Sequence, residues 1–498
     1  MTMINTNTGA LTAQANLAKA SSQFDTAMTR LSSGLRINSA KDDAAGMAIA
    51  GKMTSQIMGM NQAVRNANDG KSLVDTTESA HAESFNMLQR LRELAVQSTN
   101  DTNSASNRGN IMAEANQMIA EMNSISENTT WNGLKVIDGS FTGKQLQIGA
   151  DSGQTMTLDI DSTSARDIGV HTVNSAVSLN SDPAGSTTDT GIAVGTTISI
   201  AGPEGSSDIL TTAGQSAKDM ADQVNSVSAS TGVSASAVTT AKLSDMAAAS
   251  TVTFEINDVA IGNVNISDVN DMRGLRDAIN DVSGRTGVTA TMGDTNGEVI
   301  LTDRNGDDIG ITNYDTGVND TTLKMTALNA DGTASGAVAD THTTTFTDTV
   351  DPITASFVSG QIEMSSTKMF SVASTNVVAG DSFFEATDSY ADLDTVAEID
   401  LTTSEGAAAA IKVLDGALEK LTQSRSNLGA VSNRLDSTVN NLTNVTVNIE
   451  SSRSAIMDAD FSAESTNLAR SQVLSQAATA MLAQANSTSK NVMSLLRG

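Results

Sequence analysis

Between residues 411 and 449 the chain keeps an unbroken 3-4 spacing through Ile411, Leu414, Leu418, Leu421, Arg425, Leu428, Ser432, Leu435, Val439, Leu442, Thr446 and Ile449, with nine of the twelve positions apolar. Such a repeat is a coiled-coil seam. A helix of that length extends about 58 Å at roughly 1.5 Å per residue, and one narrow apolar stripe is too exposed to stand alone. The partners are supplied by the rest of the helical sequence. Ala10, Leu17, Phe24, Met28, Leu31 and Leu35 lie on the same seven-residue grid and predict a helix over 5–33, ended by Ser32-Ser33-Gly34. Lys41-Asp42-Asp43 then places carboxylates at a new helix start, where they favour the positive end of the dipole. Ile49, Met53, Ile57, Met60 and Val64 carry the stripe to Asn68-Asp69-Gly70, which reads as a stop and a turn. Two further helices follow, one through Leu73, Ala80, Met87, Leu91 and Leu94 to the turn at Asn100-Asp101-Thr102-Asn103, the other through Ile111, Ala115, Met118, Met122 and Ile125. A last stripe, Leu474, Ala478, Met481, Ala485, Val492 and Leu495, answers the first at the far end of the chain.

From Trp131 the period shortens. Asn132-Gly133, Asp138-Gly139 and Ser152-Gly153 punctuate alternating stretches at 145–148 and 155–160, the signature of β-hairpins, with the single tryptophan placed for packing. The middle of the chain repeats itself. Ile198-Ser199-Ile200, Asp222-Gln223-Val224-Asn225 and Thr231-Gly232-Val233-Ser234-Ala235 recur as Phe254-Glu255-Ile256, Asp277-Ala278-Ile279-Asn280 and Thr286-Gly287-Val288-Thr289-Ala290. Each copy predicts a β-β-α-β unit, over about 191–247 and 250–312, and residues 313–402 form a further strand-rich stretch of unassigned topology. The expected fold class is therefore α+β: a long antiparallel helical coiled-coil core built from both chain termini, with a β-rich inserted outer region.

Composition sharpens that division. Aromatic residues make up 3% of the 498, methionine numbers 22 and cysteine is absent, so burial rests on aliphatic side chains and no disulfide or thiolate site is available. Residues 171–400 hold 8 Lys+Arg against 32 Asp+Glu, while the remainder holds 21 against 25, so the net charge of −28 sits mostly in the insert. That acidity argues against nucleic acid or an anionic membrane as partner. No cofactor or metal is expected: His81, His171 and His342 are far apart, no HExxH occurs, and the Asp-rich turn 303–308 lacks the twelfth-position Glu of a calcium loop. No apolar run is long enough to cross a bilayer, and Met1 to Ala20 carries neither the basic cluster nor the apolar core of a secretory signal, which by that test alone points to the cytoplasm.

Several runs are similar to bacterial flagellin. They are Asn5-Thr6, the stretch from Leu31 to Gly46 (LSSGLRINSAKDDAAG), Arg65-Asn66-Ala67-Asn68-Asp69-Gly70 and Gln89-Arg90-Leu91-Arg92-Glu93-Leu94-Ala95-Val96-Gln97 near the start, with Leu428-Gly429-Ala430-Val431, Asn433-Arg434, Ala483-Gln484-Ala485-Asn486 and Leu495-Leu496-Arg497 near the end. The repeated unit resembles the flagellin IN module. The resemblance implies a filament subunit, non-enzymatic, exported as a largely unfolded chain and polymerised with its own copies in the extracellular flagellum. It implies layers: 1–44 with 456–498 as the inner helical pair, 45–175 with 403–455 as a helical bundle with hairpins, and 176–402 as the surface insert. The assembly seam is placed at Leu17, Phe24, Met28, Leu31, Leu35, Leu414, Leu418, Leu421, Leu428, Leu435, Leu442, Leu474, Met481, Val492 and Leu495. Implied partners are an export chaperone and cap and hook-junction proteins. By the same similarity Gln89, Arg90, Leu94 and Glu114 match positions read by the vertebrate Toll-like flagellin receptor, beside a plainer role as polar contacts between subunits. Competing classes are a filament-hook junction subunit, an insert that carries a metallopeptidase, which the missing HExxH opposes, and a filament-displayed adhesin.

Overall fold

A computed structural model describes residues 6–176, 179–182, 195–212, 214–316, 322–330, 332–333, 343–347, 355–375, 383–384 and 388–497. His342 lies outside them, as do the side chains of Val492 and Leu495. The chain opens with helices α1 (Thr8–Ser33), α2 (Ala44–Thr99) and α3 (Ala105–Asn128), then hairpin strands β1 (Thr130–Trp131), β2 (Leu134–Lys135), β3 (Lys144–Gln147) and β4 (Thr155–Leu158). The β-rich middle runs β5 (Gly169–Asn174), β6 (Leu179–Asp182), β7 (Thr197–Ala201), β8 (Ser206–Leu210), α4 (Ala217–Ser226), α5 (Ser228–Thr231), β9 (Ser234–Ser244), β10 (Ser250–Ile256), β11 (Val259–Ala260), β12 (Val264–Ile266), α6 (Arg273–Thr286), β13 (Thr289–Met292), β14 (Val299–Asp303) and β15 (Ile309–Asp315). It continues through β16 (Thr322–Leu328), β17 (Thr343–Thr347), β18 (Ala355–Val358), β19 (Gln361–Ser366), β20 (Ser371–Ser374), β21 (Ser389–Tyr390) and β22 (Asp392–Thr395). Helices α7 (Ser404–Met457) and α8 (Phe461–Arg497) close the chain.

Two compact units result, and α2 and α7 contribute residues to both. The first comprises Met1–Glu78, Phe141–Ile160 and Ser426–Gly498. Its small core gathers Ala67, Met156 and Leu435 under Leu146, Ile148, Val431 and Val439. The predicted stop at Asn68-Asp69-Gly70 is not one: α2 passes straight through it. Gly70 serves close approach instead of chain reversal, because a Cβ there would meet Leu146 Cδ1 of the β3–β4 hairpin at 2.7 Å. The stop at Gly34 does hold, with φ of 71° and its N–H donating to the Arg30 carbonyl at 2.8 Å. At the start of α2, Asp43 Oδ1 accepts the Gly46 N–H at 2.9 Å, as the capping reading requires.

The second unit comprises Ser79–Ser140 and Asp161–Arg425. Its helical core packs Leu88, Leu91 and Leu94 of α2 with Ile111, Ala115 and Met122 of α3 and Leu414, Ala417 and Leu421 of α7. Asn132 and Gly133, at φ of 50° and 81°, turn the β1–β2 hairpin as the Asn-Gly signal predicts. Three sheets build the β-rich middle: β11-β10-β15-β18-β6 with β12 on β10, β13-β14-β9-β19-β5-β22 with β16 and β17 joined at β9, and β21-β20-β7-β8. The stretch 313–402 thus feeds all three sheets through its described strands and forms no sheet of its own.

The two sequence repeats carry matching hydrogen bonds. Asn225, at the end of α4, donates through Nδ2 to the Ala235 carbonyl at 2.9 Å and accepts the Ala235 N–H at 2.8 Å. Asn280 of α6 does the same to Ala290, both at 2.8 Å. Gly232 and Gly287, with φ of 72° and 78°, cap α5 and α6 at equivalent points.

Candidate assembly interface

Helices α1 and α8 lie side by side in the first unit. Asn7 caps α1 by accepting the Ala10 N–H at 3.0 Å, and its Nδ2 donates across to the Ala485 carbonyl at 3.2 Å. At the other end Leu35 forms a β-bridge with Asp458, Arg36 N–H donates to the Met457 carbonyl at 2.6 Å and Ala459 N–H donates to Gly34 at 2.9 Å.

Burial shows which positions face inward. On α1 they are Ala13, Leu17, Ala20, Phe24, Ala27 and Leu31, all buried or half-buried; on α8 they are Glu464, Leu468, Ser471, Ser475, Ala478, Leu482 and Ala485. Both sets keep 3-4 spacing. Leu17, Phe24 and Leu31 lie on this inward line and Leu35 beyond the helix is half-buried, whereas Met28, which the spacing put on the same stripe, lies off it. The α8 stripe needs correction. Its inner line keeps Ala478 and Ala485 but runs otherwise through Glu464, Leu468, Ser471, Ser475 and Leu482, and Leu474 and Met481 lie beside it, 48% and 63% exposed, with Leu11 at 54% and Met28 at 50% exposed on α1. Leu474 and Met481 line a groove of about 490 Å³ with Ala13, Asn16 and Ala20.

In α7 every one of the twelve seam positions from Ile411 to Ile449 is buried or half-buried. Leu414, Leu421, Leu428 and Leu435 are buried; Leu418 and Leu442 are half-buried. That seam is thus satisfied largely within the chain, whereas Leu11 and Met28 of α1 and Leu474 and Met481 of α8 are not.

The receptor-matching residues sit in the second unit. Arg90 donates to Glu93 at 2.9 Å and to Glu114 at 3.0 Å on an exposed face that also carries Gln89, and both carboxylates hold its guanidinium more firmly protonated. Leu94 is a correction: at 1% exposure it is a core residue and offers no surface to a partner. Arg92, in the same run, pairs with Asp415 of α7 at 2.5 Å. The Asp-rich turn is braced by Lys218, whose Nζ lies 2.8 Å from Asp307, and among the described residues no group of three or more His, Asp or Glu gathers for a metal. No described helix is long and apolar enough to cross a membrane.

Family comparisons follow the same division. The bacterial flagellin N-terminal helical region matches residues 4–142, the C-terminal helical region matches 411–496, and the flagellin hook IN motif matches 197–247 and 253–305. B-type flagellin of Pseudomonas aeruginosa is 37% identical over 494 residues, and flagellin of Salmonella typhimurium 36% identical over 523, each comparison covering 99% of both chains. The solved structure of FliC from Burkholderia pseudomallei covers 73% of this chain and 99% of that one at 19% identity, with a TM-score of 0.29. Helical termini around a β-rich middle, matched end to end at this identity, establish that the chain belongs to the bacterial flagellin family.

Proposed function

We propose that this chain is the structural subunit of a bacterial flagellar filament, secreted and polymerised outside the cell through its terminal helices, and that its work in swimming is mechanical. The observation that carries the mechanism is the half-exposed set Leu11, Met28, Leu474 and Met481 on a two-helix ribbon. Large apolar side chains left open on both helices of a pair are covered by neighbouring copies, and a heterologous contact that repeats without closing builds a helical polymer. In this reading α1 and α8 form the inner coiled-coil layer (1–44 with 456–498), the α2, α3 and α7 bundle with its hairpins the next (45–175 with 403–455), and 176–402 the solvent-facing insert. The matching hydrogen bonds of Asn225 and Asn280 support two copies of one β-β-α-β unit within that insert.

An export chaperone and cap and hook-junction proteins are the further partners, by family likeness. The exposed Arg90–Glu114 pair is the surface offered to the Toll-like flagellin receptor. Removing residues 456–498 is expected to leave a soluble, folded monomer that cannot polymerise. Filaments of normal length from that truncated chain, seen by electron microscopy, would overturn the proposal.

A further inference from the structure

The contact between α1 and α8 is periodic on both sides. Along α1 a small residue and a large one repeat every seven positions, as Ala13 and Leu17, Ala20 and Phe24, Ala27 and Leu31. Along α8 Leu468, Ser475 and Leu482 share one heptad line and Ser471, Ala478 and Ala485 the other. Sliding one helix by a heptad therefore returns similar residues to similar holes, and apolar packing discriminates weakly between registers. Polar groups at seam positions are the usual way a coiled coil fixes its register.

One such group is present. Glu464 is 8% exposed and is, among the described residues, the charged side chain on the α8 seam. Its Oε1 lies 3.8 Å from Arg30 Nη1 in the last turn of α1, and Asn467 Nδ2 approaches its other oxygen at 3.5 Å. A carboxylate placed only to favour the start of α8 has no need of burial. The Asn7–Ala485 contact lies 23 residues away on α1 and 21 on α8, as an unslipped antiparallel pair requires. The backbone contacts around Leu35 and Asp458 lie outside both helices and are open to almost any sequence. A heptad slide sets Glu464 opposite Gln23, or beyond the end of α1, and in either case separates it from Arg30.

We infer that the Arg30–Glu464 pair determines the register of the terminal helix pair, and through it which groove the ribbon presents to the next copy. This rests on the terminal pair being the assembly element. The chain has no cysteine of its own. A Cβ at Gly9 would lie 4.0 Å from the Ala485 Cβ, within disulfide range. The test uses filaments assembled from full-length Gly9→Cys/Ala485→Cys, which reports the native register, and from Gly9→Cys paired with Ala478→Cys or Val492→Cys, which report a slide of seven either way. With Arg30 intact, the native pair is expected to cross-link and the other two are not. Arg30→Glu is expected to lower the native cross-link at least tenfold relative to the slid ones, and Arg30→Glu/Glu464→Arg to restore it.

An undiminished native cross-link in both Arg30→Glu and Glu464→Gln overturns the inference while leaving the proposed function standing. If Arg30→Glu forms no filaments, the double variant decides: assembly with the native cross-link supports the pair as register determinant, and failure overturns it. Failure of the unsubstituted chain to polymerise would remove the proposed function itself.

Discussion

Two leucine-to-alanine substitutions separate cohesion within the chain from cohesion between chains. Leu414 is fully enclosed in the helical core of the second unit, whereas Leu474 on α8 is 48% exposed. Truncating Leu414 removes its transfer energy and leaves a cavity, a loss of about 3 kcal/mol within the usual range of roughly 2–5. A unit of about 330 residues gains roughly 0.7 kcal/mol/K of entropy on unfolding, so its melting temperature should fall by about 4 °C. Truncating Leu474 should leave the monomer within about 0.5 kcal/mol of the parent, as for most surface changes. If neighbouring copies cover its exposed half, assembly loses about 1 kcal/mol per subunit, from roughly 2 for a whole leucine. That is about a fivefold rise in critical concentration. Calorimetry of monomers and sedimentation of filaments over a dilution series read the two quantities. The reasoning fails if Leu474→Ala polymerises at the parental critical concentration, or if Leu414→Ala melts with the parent.

Three other outcomes follow from the second unit. Gly169 of β5 faces β22 so closely that a Cβ would sit 1.9 Å from the Asp394 carbonyl oxygen. Backbone cannot swing aside like a side chain, so Gly169→Ala should cost roughly 3 kcal/mol, read by thermal unfolding. Burial raises the Asp303 carboxyl above its ordinary pKa of 3.8. Its folded form binds the proton more tightly, so the stability of the parent relative to Asp303→Asn should fall as pH rises from 3.8 through the raised value and stay flat above it, as denaturant titrations at several pH values will report. The Arg92–Asp415 pair joins α2 to α7 with both side chains nearly half exposed, so a double-mutant cycle should return less than about 1 kcal/mol of coupling.

How far the sequence reveals this molecule depends on the range of the interaction that fixes each part. The helices were legible because a heptad repeat is local, and Leu414, Leu421, Leu428 and Leu435 are buried where the spacing puts them. Gly70 misled because glycine in Asn-Asp-Gly signals a turn only when the chain reverses there. The reason it stands in α2 is Leu146, many residues away on a hairpin that no local pattern connects to it. Strand order in the β-rich middle is non-local in the same way: β5 takes β19 and β22 as neighbours from the far side of both repeats. The equivalence of Asn225 and Asn280, by contrast, is a fixed offset that a repeat search finds.

The stripe on α8 failed at Leu474 and Met481 for a different reason. The 3-4 spacing selected Leu474 and Met481 together with Ala478 and Ala485, but the α1–α8 contact is lined on the α8 side by two Ser, two Ala and one Glu along with Leu468 and Leu482. Leu474 and Met481 lie outside that contact, and they point where a single chain has nothing to cover them. A sequence selected only for a stable monomer gains nothing from leaving Leu11, Met28, Leu474 and Met481 open to water. The error is therefore informative: Leu474 and Met481, which the spacing assigned to the pair within the chain, are available to the pair between chains.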